Sequence, residues 1–73
     1  MEDEFLDPAT ITREVAVQIR EWRVDEDFTW RSVARAATDL WGSEYGTNQI
    51  YGRDLCVAAA GVLGEDPDRD PWN

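Results

Sequence analysis

The stretch FTWRSVARAATDLWG, residues 28 to 42, decides the fold because it carries the clearest helical pattern in this 73-residue chain. Thr29 suits an N-cap and Gly42 suits a helix stop, so the stretch predicts a helix from Trp30 to Trp41. Its apolar side chains share one face and its polar side chains share the other. The predicted buried face is Trp30, Val33, Ala34, Ala37, Leu40 and Trp41, which leaves Arg31, Ser32, Arg35, Thr38 and Asp39 for solvent.

The segment before this stretch predicts the first helix of the chain, from about Pro8 to Val24. Asp7 has the chemistry of an N-cap, and Pro8 suits the first helical position. The predicted core face is Ile11, Val15, Ile19 and Trp22. Val17 and Val24 lie on the opposite side, seven residues apart, which is the spacing of a seam between helices.

The segment after Gly42 predicts the third helix, which starts at Thr47 or Asn48 and ends at Gly64. Gly52 is expected to loosen its first turns, because glycine is a poor helix former. The main apolar arc is Tyr51, Leu55, Ala58, Ala59 and Val62, and a second stripe on the other side is Ile50, Val57 and Gly61. Two apolar faces predict a central helix that is flanked by both neighbours.

These patterns predict an all-α fold, a compact three-helix bundle with acidic, flexible termini. Residues 1–6 are predicted to be an acidic N-terminal tail, residues 7–64 the three-helix domain, and residues 65–73 an acidic C-terminal tail. Pro67 and Pro71 prevent a helix in that last segment. Trp72 is expected to fold back over an apolar edge, because an exposed indole beside a small core is unfavourable.

The charge is strongly acidic, with sixteen Asp and Glu against seven Arg, no Lys and a formal net charge of −9. Most of the excess lies in the two ends and in Asp25-Glu26-Asp27. Such a chain repels nucleic-acid phosphates at long range and attracts basic partners. The same composition is also typical of proteins from a high-salt or high-GC source.

The residue types present make catalysis improbable. The chain has no His and no Lys, and its single Cys56 lies in the middle of the third helix among apolar residues. This removes His-assisted nucleophiles, Schiff-base lysines and His/Cys metal sites. We expect no enzyme activity, no cofactor and no metal. The lone cysteine and the lack of a long apolar run also predict a cytoplasmic protein without membrane association.

Residues 28–63 resemble a helix-turn-helix DNA-binding domain, through FTWRSVARAATDLWG followed by TNQIYGRDL. The resemblance implies a transcriptional regulator in which the start of the third helix enters the major groove. The implied nucleic-acid contacts are Arg31, Arg35, Thr47, Asn48, Gln49 and Arg53. The chain lacks the broad basic patch that normally supplies most of the binding energy, so DNA is the less favoured partner.

The favoured interpretation is a small protein-binding module, an adaptor or regulator whose acidic charge matches a basic partner or mimics nucleic acid. Its interface is predicted around the loop before the third helix and along the second stripe of that helix. The candidate partner-binding residues are Tyr45, Asn48, Gln49, Ile50, Arg53 and Val57. A homodimer through the Val17/Val24 or the Ile50/Val57 pair is a further possibility, because both pairs repeat at seven residues.

Overall fold

The computed structural model describes residues 8–42 and 48–72, and there it consists of helices and turns without a strand. A 3₁₀ turn at Pro8–Thr10 precedes helix α1 at Arg13–Arg20, which continues into a π-helical turn at Glu21–Asp25. Helix α2 spans Trp30–Trp41 and helix α3 spans Gln49–Leu63. The predicted all-α, three-helix architecture is confirmed. The predicted N-terminal tail lies outside the described residues.

The single helix predicted from Pro8 to Val24 is instead divided into three parts. Thr12 begins α1, because its backbone is extended and its hydroxyl oxygen accepts a hydrogen bond from the Val15 amide at 3.2 Å. At the other end, the Glu26 amide donates to the Glu21 carbonyl at 2.9 Å, which is the wider spacing of a π turn. Asp27 then reverses the chain with a φ of 59°.

Helix α2 has the predicted bounds and caps. The Thr29 hydroxyl oxygen accepts from the Ser32 amide at 3.1 Å, and Gly42 ends the helix with a φ of 79°. Val33, Ala34 and Ala37 are fully buried, as predicted. Leu40 was predicted to lie in the core and is 58% exposed, because it occupies the edge of this face in the last turn of the helix.

Helix α3 is the central helix, as predicted, and packs against both α1 and α2. Asn48 is its cap, with the side-chain oxygen accepting from the Tyr51 amide at 2.7 Å, and Gly64 ends it in the left-handed conformation. Both neighbours cover the same half of the helix, which buries Tyr51, Gly52, Leu55, Cys56, Ala59 and Ala60. The second apolar stripe, whose Ile50 and Val57 were predicted as partner-binding residues, faces solvent. Val62 was predicted on the main apolar arc and is also exposed.

The C-terminal segment, predicted as a flexible tail over 65–73, contacts the bundle at Glu65, Asp68 and Trp72, while residues 69–71 are exposed. Trp72 is 2% exposed and belongs to the core, so its predicted return to the bundle is confirmed. Its indole N–H donates to Glu65 Oε1 at 2.6 Å, and its carbonyl accepts from Arg23 Nε at 3.0 Å. The two prolines reduce the freedom of the unfolded segment, which lowers the entropy lost when these turns form.

Candidate functional site on helix α3

The solvent-facing side of α3 forms a continuous stripe that we call the α3 outer face, made of Ile50, Asp54, Val57 and Gly61. Their spacing of four, three and four residues places them on one side of a helix. Ile50 is 74% exposed and Val57 is 40% exposed, although both are large apolar residues. Gly61 has no neighbouring atom within 4 Å of the position that a Cβ would take. The stripe is therefore open to close approach by another molecule.

Asp54 is the one charged member of the α3 outer face. It is exposed, and it makes no ion pair or hydrogen bond from its side chain within residues 8–42 and 48–72. A carboxylate in this position, between two exposed apolar side chains, favours a basic group opposite it.

The polar residues predicted at the start of α3 have different surroundings. Asn48 uses its side-chain oxygen to cap the helix, so that atom serves the fold. Gln49 is exposed in the first turn. Arg53 pairs with Asp68 at 3.3 Å, and its guanidinium carbon lies 4.9 Å from the centre of the Trp30 ring. Arg53 is thus held against the bundle by two contacts.

An open pocket of about 510 Å³ lies beside the first turns of α2 and α3, and we call it the arginine pocket. It is lined by Arg23, Thr29, Trp30, Arg31 and Gln49. The structure therefore brings Arg31 and Gln49 together, two residues that the helix-turn-helix resemblance implied as nucleic-acid contacts. Arg35 does not line the pocket. Sequence reasoning missed Arg23, and it assigned Trp30 to the core alone.

Other predicted interface residues are not brought together. Tyr45 and Thr47 lie outside the described residues. Val17 is exposed on α1, but Val24 packs against the core, so the Val17/Val24 seam is not formed on the surface. The Ile50/Val57 pair is the one of these two predicted seams that remains accessible.

The one cysteine of the chain, Cys56, is buried. Burial raises the pKa of the Cys56 thiol to about 11, although Arg23 and Arg53 act in the opposite direction, so the thiol stays protonated at neutral pH. No group of three or more His, Cys, Asp or Glu side chains within residues 8–42 and 48–72 is placed to hold a metal ion. Among the same residues, no helix has the length and apolar character needed to cross a bilayer.

Comparison with protein-family models, with curated proteins and with solved structures finds no match to this chain.

Proposed function

We propose that this chain is a small non-catalytic protein-binding module whose docking surface is the α3 outer face. The observation that supports this most directly is the exposure of Ile50 and Val57 on the helix that organises the core. Apolar side chains that recur on one helix face are a common way for a helix to receive an amphipathic partner. Gly61 adds a position where the backbone of the partner can come close.

The charge of the surface indicates the chemistry of the partner. Asp54 lies between the two apolar residues, and the chain as a whole carries −9. A symmetric pairing of two copies that sets Ile50 against Val57 also brings two Asp54 carboxylates close together, which is unfavourable. We therefore infer a different protein that presents an apolar strip with a basic residue, and a homodimer becomes an outcome that the experiment distinguishes.

The proposal is tested with a basic amphipathic peptide helix and an acidic twin of the same apolar pattern. In an NMR titration of the ¹⁵N-labelled chain, the basic peptide should shift the amides of Ile50, Asp54 and Val57. Asp54→Lys should lower the affinity for the basic peptide by about tenfold and raise the affinity for the acidic peptide. The reason is that a close charge pair at an interface contributes about 1.5 kcal/mol or more. Asp39→Lys makes the same charge change on α2 and is the matched control.

Three results would contradict this assignment. The peptide could shift residues scattered over the acidic surface, or Asp39→Lys could have the same effect as Asp54→Lys. Sedimentation of the unliganded chain could also show a dimer that Val57→Asn dissociates and Leu40→Asn does not. Leu40 is the appropriate control because it is another exposed apolar residue, located on α2.

DNA binding is the second candidate function, and one observation favours it. Arg31 and Gln49 line the same pocket although they belong to different helices. If the chain binds duplex DNA through this side, binding should weaken steeply with salt, and Arg31→Ala should reduce the slope of log K against log salt by about 1. If a basic peptide bound to the α3 outer face leaves the affinity for DNA unchanged, the two ligands use separate surfaces.

A further inference from the structure

The arginine pocket is unusual in a chain of charge −9, because its lining within residues 8–42 and 48–72 includes two arginines and no carboxylate. Two arginines, Arg23 and Arg31, line this pocket together with the polar residues Thr29 and Gln49. Asp25, Glu26 and Asp27 precede it in the chain but do not line it. The described lining of the pocket therefore carries a charge opposite in sign to that of the whole molecule.

Arg23 is fixed in place before any ligand arrives. Its Nη1 donates to the Phe28 carbonyl at 2.6 Å, and its Nε donates to the Trp72 carbonyl at 3.0 Å. Its guanidinium carbon also lies 5.7 Å from the centre of the Trp30 ring. A guanidinium has five N–H donors, so further donors remain for a ligand. A group held in this way loses little entropy when it binds an anion.

Arg31 contributes the second charge and has no structural task of its own. It is exposed in the first turn of α2, and its side chain makes no hydrogen bond or ion pair within the part of the chain that the structure describes. It is therefore available to close on a ligand that Arg23 holds. Two guanidinium groups match the charge of about −1.5 to −2 on a phosphate monoester at neutral pH.

We propose that the arginine pocket binds a small organic phosphate, with the phosphate group between Arg23 and Arg31. The volume of about 510 Å³ lies within the range of small-molecule sites and exceeds the size of a phosphate ion. The carbon skeleton of the ligand then occupies the remainder of the pocket, between Trp30 and the Gln49 amide. This site is separate from the α3 outer face, and the inference goes beyond the proposed protein-binding function.

Phenyl phosphate is the probe that tests this site, with inorganic phosphate and benzoate as comparisons. In an NMR titration, phenyl phosphate should give saturable shifts of the Thr29 and Arg31 amides and of the Gln49 side-chain amide, with a Kd of about 1 mM or below. Inorganic phosphate lacks the carbon skeleton and benzoate carries a single charge, so each should bind more weakly. Arg31→Gln should lower the affinity for phenyl phosphate about tenfold, because hydrogen bonds between charged groups are stronger than those between neutral groups.

Arg35→Gln is the matched control, because it removes the same charge one helical turn away, outside the pocket. It should change the Kd less than about twofold, an effect expected from long-range charge alone. Equal effects of Arg31→Gln and Arg35→Gln would overturn the proposal, as would tighter binding of benzoate or the absence of saturable shifts. A DNA duplex that shifts these amides when phenyl phosphate does not would assign the pocket to DNA.

Discussion

Gly52 sits at the closest approach between α2 and α3. A Cβ at this position would lie 1.7 Å from the Trp30 carbonyl oxygen, a distance that no pair of unbonded atoms can adopt. From the sequence, Gly52 is predicted to loosen the first turns of α3. The structure shows instead that it permits the backbones of the two helices to touch, and this role depends on a neighbour twenty-two residues away in the chain.

Substitution of two glycines in α3 should therefore have opposite effects. Gly52→Ala forces the helices apart and should reduce the free energy of unfolding by about 3 kcal/mol, a value typical of overpacking. The methyl group of Gly61→Ala would lie in open space on an exposed part of the helix. This change should therefore increase the free energy of unfolding by about 0.5–1 kcal/mol. Urea denaturation followed by circular dichroism measures both. Equal stabilisation by the two changes would show that helix propensity, and not the Trp30 contact, governs Gly52.

The Cys56 thiol should be unreactive in the folded chain. Burial raises its pKa to about 11, so only a minute fraction is thiolate at pH 8, and the sulfur is also shielded from reagents. We expect labelling by a disulfide reagent at pH 8 to be slow in buffer and fast in 8 M urea, on the order of a free thiol. Labelling in buffer at the rate of glutathione would contradict the buried position.

At the scale of elements, local signals predicted α2 best because its caps and apolar face agree with one another. For the first helix, the sequence predicts Asp7 as the N-cap, followed by Pro8. In the structure, Thr12 is the N-cap of α1. The π turn that follows could not be predicted, since it accompanies the contacts of Trp22 with the rings of Phe28 and Trp41, at 6.4 and 5.4 Å between centroids. The contact with Trp41 forms only when this turn packs against α2.

The C-terminal segment should be sensitive to acid through Glu65. Hydrogen bonds from Arg20 and then from Trp72 hold the pKa of this carboxyl below its usual value of 4.5. A lowered pKa in the folded state means that the ionised form stabilises the fold above pH 4.5, and that this contribution disappears as the pH falls through the folded pKa. Glu65→Gln should lower the Tm at pH 7, and its difference from the parent chain should shrink below pH 4.5.

Thermal melts at several pH values measure this effect. Glu26→Gln removes an exposed carboxylate from the connection before α2 and is the control for overall charge. If the Tm difference of Glu65→Gln were constant from pH 7 to acid pH, the ionised carboxylate would not be the stabilising species.

At the scale of the whole molecule, the sequence predicted the residues of the candidate site better than their surroundings. The Ile50/Val57 stripe was recognised, yet its exposure depends on both neighbours packing against one half of α3. The arginine pocket could not be predicted, because it depends on a contact between the starts of α2 and α3 and on the return of Trp72 toward Arg23. These are tertiary relations that no single segment encodes.

Net charge should make the stability of the chain increase with salt. The three ion pairs of the described residues are all at least partly exposed, so each contributes little to stability. The net charge of −9, in contrast, makes the carboxylates repel one another across the whole surface. Raising NaCl from 10 mM to 1 M shortens the screening length from about 30 to about 3 Å and should raise the Tm by about 4–8 °C, or roughly 1 kcal/mol.

The control for this prediction is pH. Near the sequence pI of about 4.1 the net charge is close to zero, so the same salt addition should change the Tm little. A Tm that falls with NaCl at pH 7 would mean that the ion pairs outweigh the repulsion.

The burial of Trp72 links the completion of the fold to protein synthesis. Trp72 is the largest fully buried side chain, and it is made after every helix of the bundle. A nascent chain that does not yet contain this residue has an incomplete core and exposes apolar surface. The core is therefore expected to close only after Trp72 has been synthesised and can reach the helices.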